Sequence, residues 1–274
     1  MTVPVHIISL ASAQHRRIFQ EAQAQRLGFE PIWEAAVGVE DFSDEEFLQH
    51  AFRWQRPLKK TEIGCFLSHL RVWQRISQSC GPAVVLEDDV ILSEHWYQDI
   101  LTLGQTSCAD YICLETWGKK ILGQSEYVDE LKMQRLHLNS AGAAGYLLWP
   151  SGALMLIERY QKNGAALADA FINEFRGWRA WQLVPANLVQ MNVAVHFGQP
   201  APISTESLIA REKTPPSFPN RLTFLRIKAR RVLGQVHIAF IRVAYWLRGR
   251  EVVGLKALPD TKNSQHKKLT EHSG

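Results

Sequence analysis

The chain alternates short apolar runs with longer helix-forming stretches, which is the pattern of a domain that layers helices on a sheet. The apolar runs have the length of strands and carry few charges, as expected of strands that are buried on both faces. A polar stretch of helix-forming residues follows the first run and ends at Gly28. The predicted strands are residues 5–10, 31–35, 83–86, 111–114 and 145–149. We therefore expect an α/β fold that begins with a strand and a helix, as nucleotide-binding domains do.

The clearest helix covers residues 62–77, where apolar side chains recur at the spacing of one helical face. These side chains are Ile63, Phe66, Leu67, Leu70, Trp73 and Ile76. A further helix is predicted over residues 153–160, and residues 38–60 are expected to form loop and short helix.

Three consecutive acids, Glu87, Asp88 and Asp89, directly follow the predicted strand at 83–86. Ligands of open α/β sheets bind beyond the carboxyl ends of the strands. Clustered carboxylates repel one another, and a divalent cation such as Mg²⁺ or Mn²⁺ relieves that repulsion. Such an ion can also stabilise a diphosphate leaving group. The alternative is a solvated acidic turn between two strands.

Composition places the chain among globular proteins, because 274 residues that are 46% hydrophobic can bury a full core. Four cysteines without C-x-x-C spacing are expected to be reduced thiols. The first residues lack the pattern of a signal peptide, and no uncharged apolar run of about 18 residues occurs. We therefore expect a cytoplasmic protein.

The net charge of +4 is unevenly distributed along the chain. Residues 211–256 hold eleven Lys or Arg against two acids, which gives +9 for that segment. We expect a basic helical appendage that contacts an anionic membrane, or else a hairpin packed on the domain or a dimer contact. Its polar groups project as two stripes, one of Arg226, Arg230, His237 and Arg248, the other of Lys228, Arg231, Gln235 and Arg242. Residues 257–274 are expected to form a disordered tail.

Four stretches, in order between residues 5 and 210, resemble glycosyltransferase family 25, which includes lipooligosaccharide galactosyltransferases. The second and third, about twenty residues apart, form a specific pair. The stretches are Ile7-Ile8-Ser9-Leu10 with Arg16-Arg17; Glu62-Ile63-Gly64-Cys65-Phe66-Leu67-Ser68-His69; Val84-Val85-Leu86-Glu87-Asp88-Asp89; and Ala143-Ala144-Gly145-Tyr146-Leu147-Leu148. The resemblance implies a GT-A-like fold, a single Rossmann-type sheet flanked by helices, over residues 1–210.

The resemblance also implies roles for the residues in these stretches. Asp89 is expected to bind the metal, Asp88 the metal or the ribose, and Glu87 to support both. Arg16 and Arg17 open the first helix, where a guanidinium could bind diphosphate or the uracil side, unless the two form a solvated helix face. Three residues of the predicted helix at 62–77 are also expected at the site of the donor: Glu62, Ser68 and His69. His69 could equally be a packed structural histidine, and Ser9 replaces an Asn that is usual in the family.

Members of the family are described as inverting, which requires one general base to deprotonate the acceptor hydroxyl. The resemblance favours Asp169 as this base, although a Pro that usually precedes it is missing. Glu115, at the end of the predicted strand 111–114, is the competing base. Gln190 and Ser207 also match positions that the family tends to retain, without a role that the sequence reveals.

Together these features predict transfer of a sugar from a UDP-sugar to a lipid-linked lipopolysaccharide acceptor. Galactose is the favoured sugar. The expected cofactor is Mn²⁺ or Mg²⁺, and the expected place is the inner face of the bacterial inner membrane, with no nucleic acid as partner. One alternative is a non-catalytic protein that binds carbohydrate or nucleotide-sugar on the same fold. A metal-dependent phosphohydrolase fits less well, because Val90-Ile91-Leu92 offers no further acid or Thr after the triplet.

Overall fold

The computed structural model describes residues 2–107, 109–128, 131–138, 142–174, 177–199, 202, 216–244 and 250–256. The strands are β1 (Val5–Ser9), β2 (Pro31–Ala35), β3 (Ala83–Glu87), β4 (Val90–Leu92), β5 (Tyr111–Cys113), β6 (Lys120–Val128), β7 (Leu131–Leu138), β8 (Gly145–Leu148), β9 (Ala180–Leu183), β10 (Leu188–Gln190) and β11 (Arg250–Val252). The helices are α1 (Gln14–Leu27), α2 (Asp44–Ala51), α3 (Lys60–Ser77), α4 (Trp96–Leu103), α5 (Pro150–Asn163), α6 (Ala168–Asn173), α7 (Met191–Ala194) and α8 (Arg221–Ala244), with a 3-10 turn at Val195–Phe197.

Among the described residues, nine strands form one mixed sheet in the order β2-β1-β3-β8-β5-β9-β7-β6-β11. β1 pairs in parallel with both β2 and β3, whereas β8 runs antiparallel to β3 and β5. The chain leaves β1 toward β2 on one side and returns to β3 on the other, so the carboxyl ends of β1 and β3 flank a crevice. Ligands of α/β sheets bind at such switch points. The expected α/β class is confirmed, with a single Rossmann-type sheet flanked by helices as in a GT-A-like fold.

Each face of the sheet has its own core, because alternate residues of a strand point to opposite faces. In β3, Val85 belongs to one core and Val84 to the other. The first core is covered by α3, α5 and α6, where the rings of Phe66, Trp73 and Phe171 meet in edge and stacked contacts. The second core is covered by α1 and α4. α3 therefore covers the face of the sheet to which Val85 of β3 points.

α1 faces the sheet with buried amides as well as with apolar side chains. Gln20 donates to the carbonyl oxygens of Asp88 at 3.0 Å and Val90 at 2.8 Å. Gln23 donates to the Val90 carbonyl and accepts from the amide of Leu92. Buried amides cost free energy unless they are hydrogen bonded, so these contacts fix the turn between β3 and β4 against α1.

α3 approaches the loop after β2 through a glycine and a serine that lie one turn apart. The Ser68 hydroxyl donates to the Gly64 carbonyl at 2.7 Å and accepts from the Val37 amide at 2.8 Å. A Cβ atom at position 64 would lie only 2.4 Å from the Val37 carbonyl oxygen. Gly64 therefore allows α3 to pack directly against the backbone of the loop.

The five predicted strands are confirmed, as are the three predicted helices, within a few residues of their ends. Residues 38–60 contain α2 between loops, as expected. The strands β4, β9 and β10 and the hairpin of β6 and β7 were not predicted from the sequence. Neither was β11, which lies in the segment expected to be helical. β11 pairs with β6, and the Lys256 ammonium reaches Asp99 Oδ2 at 2.6 Å, so the chain returns to the domain after α8. The predicted boundary at residue 210 and the predicted tail 257–274 lie outside the described residues.

No helix in the described part of the chain combines the length and the apolar character needed to cross a membrane.

We expect the substitution Gly64→Ala to lower the free energy of unfolding by about 1–3 kcal/mol, because the added methyl group meets backbone that cannot rotate away. The matched control is Gly234→Ala in α8, where a Cβ would meet only the end of the Gln55 side chain. This control should be neutral, or stabilising by up to about 1 kcal/mol through helix propensity. Urea unfolding of both variants measures the difference, and equal stability of the two would contradict the packing described for α3.

Candidate active site

The acidic triplet lies at the carboxyl end of β3, beside the carboxyl end of β1. Ile8 pairs with Glu87 in the parallel register, which brings Ser9 next to Asp88. The Ser9 hydroxyl donates to Asp88 Oδ2 at 2.7 Å, and the Arg16 guanidinium donates to Oδ1 at 2.9 Å. Both oxygens of this buried carboxylate therefore have protein partners, and Arg16 is held at the switch point.

Arg17 lies beside this crevice, against residues of β1 and β2. Its Nε donates to the Ser9 hydroxyl at 3.2 Å and its Nη2 to the Ser9 carbonyl at 3.3 Å. Its guanidinium lies 5.0 Å from the centre of the Trp33 ring. Both arginines thus face the end of the sheet, and each is oriented by at least one residue of the crevice.

A single amide contacts the other two carboxylates of the triplet. Gln190 lies opposite Val90 in the β4–β10 pair and donates to Glu87 Oε2 at 3.1 Å and to Asp89 Oδ1 at 3.4 Å. Burial, followed by the charges of Glu87 and Asp88, raises the pKa of Asp89 to about 7. Negative charge in the triplet is therefore only partly compensated by protein donors, and this is the condition in which carboxylates favour a divalent cation.

His69 reaches Glu87 from α3. Its Nε2 lies 3.4 Å from Glu87 Oε1, and its Nδ1 lies 2.9 Å from the hydroxyl of Tyr146. That hydroxyl accepts from the Trp73 indole at 2.8 Å. One tautomer of His69 satisfies every group. In it, the Tyr146 hydroxyl donates to Nδ1, and the imidazole hydrogen is on Nε2 and faces Glu87. His69 is therefore both a packed histidine, with no exposed surface, and a contact of the triplet.

Two sets of donor atoms could hold a metal ion. Asp88 and Asp89 offer carboxylate oxygens, which suit Mg²⁺ or Mn²⁺. Cys65, His69 and Glu87 offer a sulfur, a nitrogen and an oxygen atom within 4.8 Å of one another, a mixed set that suits a thiophilic ion such as Zn²⁺. Burial, followed by the charge of Glu87, raises the pKa of the Cys65 thiol well above its usual range. Because Mg²⁺ and Mn²⁺ are hard cations, the oxygen set is the better donor for them.

Glu115 follows β5 and is only 1% exposed. The Ala144 amide donates to its Oε1 at 2.8 Å and the Trp117 indole to its Oε2 at 3.3 Å. The Ala144 carbonyl accepts from the Glu87 amide, so one residue joins the two acids. Burial, followed by the charge of Glu87, raises the pKa of Glu115 to about 8, which leaves the group protonated at neutral pH.

Asp169 lies in the first turn of α6 and is exposed to solvent. Its Oδ1 accepts from the Ala170 amide at 2.7 Å. Its pKa is raised, chiefly because the surrounding protein displaces part of its hydration and also because Glu87 is negatively charged, although solvent still reaches the side chain. The two predicted bases therefore have different environments, since Glu115 is enclosed and Asp169 is open.

Glu62 and Ser68 have structural contacts. The two oxygens of Glu62 accept from the Arg56 guanidinium at 2.7 and 2.9 Å, and Oε2 also accepts from the Lys59 amide at the start of α3. Ser68 joins α3 to the loop after β2. In the described part of the chain no hydrogen bond links either side chain to the triplet. Their predicted role in donor binding stays a prediction, whereas Arg16, Arg17 and His69 do meet the triplet or its partners.

A sequence profile of glycosyltransferase family 25, which is described as comprising lipopolysaccharide biosynthesis proteins, matches residues 2–172. The match includes the carboxyl ends of β1 and β3, the triplet and both candidate bases. The chain belongs to glycosyltransferase family 25. The resemblance inferred from the four stretches is thereby confirmed.

Relatives in family 25 come from animals and bacteria. A glycosyltransferase 25 family member of Drosophila melanogaster is 26% identical over 61% of this chain and 30% of its own length. A provisionally named glycosyltransferase of Haemophilus influenzae is 26% identical over 68% of this chain and 69% of its own length. A Rattus norvegicus protein named "Probable inactive glycosyltransferase 25 family member 3" is 28% identical over 34% of this chain and 16% of its own length. The chain therefore spans less than a third of the fly relative.

Three residues complete the crevice of this family 25 chain without a role having been predicted for them. Ser9 orients Asp88, Gln190 bridges Glu87 and Asp89, and Tyr146 orients His69. The sequence singled out Ser9 and Gln190 only as positions compared with the family, and both end strands in the structure. The partners of all three lie 77 to 103 residues away along the chain, so the contacts exist only once the sheet has formed.

The raised pKa of Glu115 predicts a pH dependence of stability. At pH values between the ordinary pKa of 4.5 and the raised pKa of about 8, the unfolded chain has released the Glu115 proton and the folded chain still keeps it. The free energy of unfolding contributed by this group should therefore fall as the pH rises through that window, by a few kcal/mol in total.

Glu115→Gln cannot ionise and should lack this loss, so its stability relative to wild type should rise steadily from pH 5 to pH 8. Urea unfolding at several pH values measures it, with the exposed-acid variant Asp44→Asn as control. Parallel pH curves for Glu115→Gln and wild type would show that Glu115 is ionised in the folded protein.

Proposed function

We propose that the chain is an inverting, metal-assisted glycosyltransferase that moves galactose from UDP-galactose to a lipopolysaccharide-type acceptor. The observation that carries this proposal is the meeting of Glu87, Asp88 and Asp89 with Arg16 at the switch point of the sheet. Acidic oxygens for a cation and a guanidinium for phosphate are the two groups that a nucleotide diphosphate requires. The choice of galactose and of UDP rests on the resemblance to galactosyltransferases of the family.

Within the triplet, the residues divide by their partners. Asp88 is held on both oxygens by Ser9 and Arg16, which suits a group that orients ribose or shares a cation. In the described part of the chain the Asp89 carboxylate accepts a long hydrogen bond from Gln190, and burial, followed by the charges of Glu87 and Asp88, raises its pKa. Asp89 is therefore the principal ligand for Mn²⁺ or Mg²⁺. When bound, such an ion would offset the charge of the departing diphosphate.

The general base must be ionised and must reach an acceptor hydroxyl. Asp169 meets both conditions better than Glu115, because it is open to solvent and Glu115 is enclosed with its proton retained at neutral pH. Glu115 instead fits a role in positioning Glu87. It accepts from the Ala144 amide, and the Ala144 carbonyl accepts from the Glu87 amide.

The acceptor and the place of action complete the proposal. A lipopolysaccharide precursor is lipid-linked, and the basic segment 211–256 would hold the protein on the cytoplasmic face of the anionic inner membrane. A non-catalytic binding protein remains the second candidate, because the rat relative is named as inactive.

We expect UDP release from UDP-galactose with Mn²⁺, its loss with EDTA, and a fall of at least about 100-fold in Asp89→Asn. The carboxamide keeps the size of the side chain and removes its charge. Asp44→Asn, which changes an exposed acid of α2, should behave as wild type. The measurement is initial UDP release from a panel of UDP-sugars. Tight Mn²⁺-dependent binding of a UDP-sugar without release would support the binding protein, and no binding of any nucleotide sugar would refute both.

For the base, Asp169→Asn should lower transfer to an added acceptor by about 10²–10⁴-fold, because proton removal from the hydroxyl is lost. The dissociation constant of the UDP-sugar should stay within about twofold of the wild-type value, because Asp169 does not hold the donor. Glu115→Gln is the paired variant and should retain most of the transfer rate. The reverse ranking of the two variants, at equal donor affinity, would assign the base to Glu115.

A further inference from the structure

α8 presents two separate apolar faces. The inner face packs on the domain, with Ile227 and Ile241 buried and Gly234 against the side chain of Gln55. Arg230 anchors this face by donating from Nη1 to the carbonyl oxygens that follow α2, those of Phe52 at 2.9 Å and Arg53 at 3.1 Å. The helix is therefore joined to the rest of the protein at positions between Ile227 and Ile241.

The outer face of α8 is apolar and exposed. Projected at 100° per residue, seven large apolar side chains fall on the half of the helix opposite the inner face. Phe240 is 71% exposed and Val243 is 76% exposed. An exposed apolar strip of this extent is uncommon on a monomeric soluble protein and marks an interaction surface. We call it the outer face; its members are Leu222, Leu225, Val232, Leu233, Val236, Phe240 and Val243.

Cations border the outer face on both sides. One border carries Arg226 and the other carries Lys228, Arg231 and Arg242. The sequence of α8 contains six Arg or Lys residues and no acid. The polar residues of α8 project as two stripes because one stripe lies on each side of the helix, between the inner face and the outer face.

We propose that the outer face of α8 is an in-plane docking surface for an anionic lipid bilayer. An apolar strip with cations along both borders fits the boundary between acyl chains and negatively charged headgroups. A second copy fits less well, because two outer faces packed together would bring basic borders against basic borders. Nucleic acid fits less well because the centre of the surface is apolar rather than hydrogen bonding.

This inference deepens the proposed function, because a lipid-linked acceptor lies in the same bilayer. Because the inner face of α8 is joined to the domain, a docked helix would hold the catalytic crevice in one orientation relative to the membrane. Docking itself requires no turnover, so it can be tested whether or not the chain transfers galactose.

The experiment is flotation of the full chain with vesicles of phosphatidylcholine alone and with vesicles that contain phosphatidylglycerol. We expect binding to the anionic vesicles that weakens with salt. Arg226→Gln with Arg242→Gln, one cation from each border, should weaken partitioning by about 30-fold, because each cation near an anionic surface contributes about one factor of five. Leu233→Ser with Phe240→Ser should weaken it by at least about tenfold through lost burial.

The matched control is Leu48→Ser with Leu154→Ser, which removes two exposed apolar side chains from α2 and α5. This control should bind vesicles as wild type does, and all variants should keep the wild-type rate of UDP release in solution and the wild-type unfolding midpoint. Equal binding by the Leu233 and Phe240 variant and the control, or no binding to anionic vesicles, would overturn the proposal. A dimer in solution that the same variant converts to a monomer would assign the outer face to a second copy.

Discussion

Three consecutive carboxylates at the end of a buried strand set the constraint on which the rest of this fold depends. Carboxylates this close raise one another's pKa, and burial adds to the cost of ionising them. The fold supplies a different set of partners to each one. Asp88 is bonded by residues of β1 and α1, Glu87 by residues of α3 and β10, and Asp89 by Gln190 of β10. The turn therefore draws together elements that lie far apart in the sequence.

This requirement accounts for the polar interior around the crevice. A wholly apolar α1 would leave the carbonyl groups of the turn after β3 without donors, whereas Gln20 and Gln23 satisfy them. Likewise, Trp73 and Tyr146 place hydrogen bonds inside an aromatic core so that His69 can face Glu87. Buried polar groups that are satisfied in this way make a rigid network, and a rigid network holds the carboxylates in place despite their mutual repulsion.

The sequence was sufficient for the parts of the molecule that local periodicity determines. The strands β1, β2, β3, β5 and β8, the helix α3 and the triplet after β3 all follow from short patterns, and together they locate the crevice. The contacts of Ser9 and Gln190 could not be read, because a strand end does not reveal which strand will lie beside it. β11 was missed for the same reason. The amphipathic character of α8 was underestimated, because a helix with two opposite apolar faces does not show the single apolar stripe that sequence patterns are searched for.

The acids of the crevice show how environment separates groups that are chemically alike. Asp88 has both oxygens occupied by donors, and its negative charge has a partner in Arg16. Glu115 has donors as well, yet its enclosure keeps the proton in place at neutral pH, so its hydrogen bonds serve to hold a peptide in position. Asp169 has backbone donors and access to solvent. An acid that must take a proton from an incoming hydroxyl needs space for that hydroxyl, and in the sequence nothing distinguishes the acid that has this space from the one that does not.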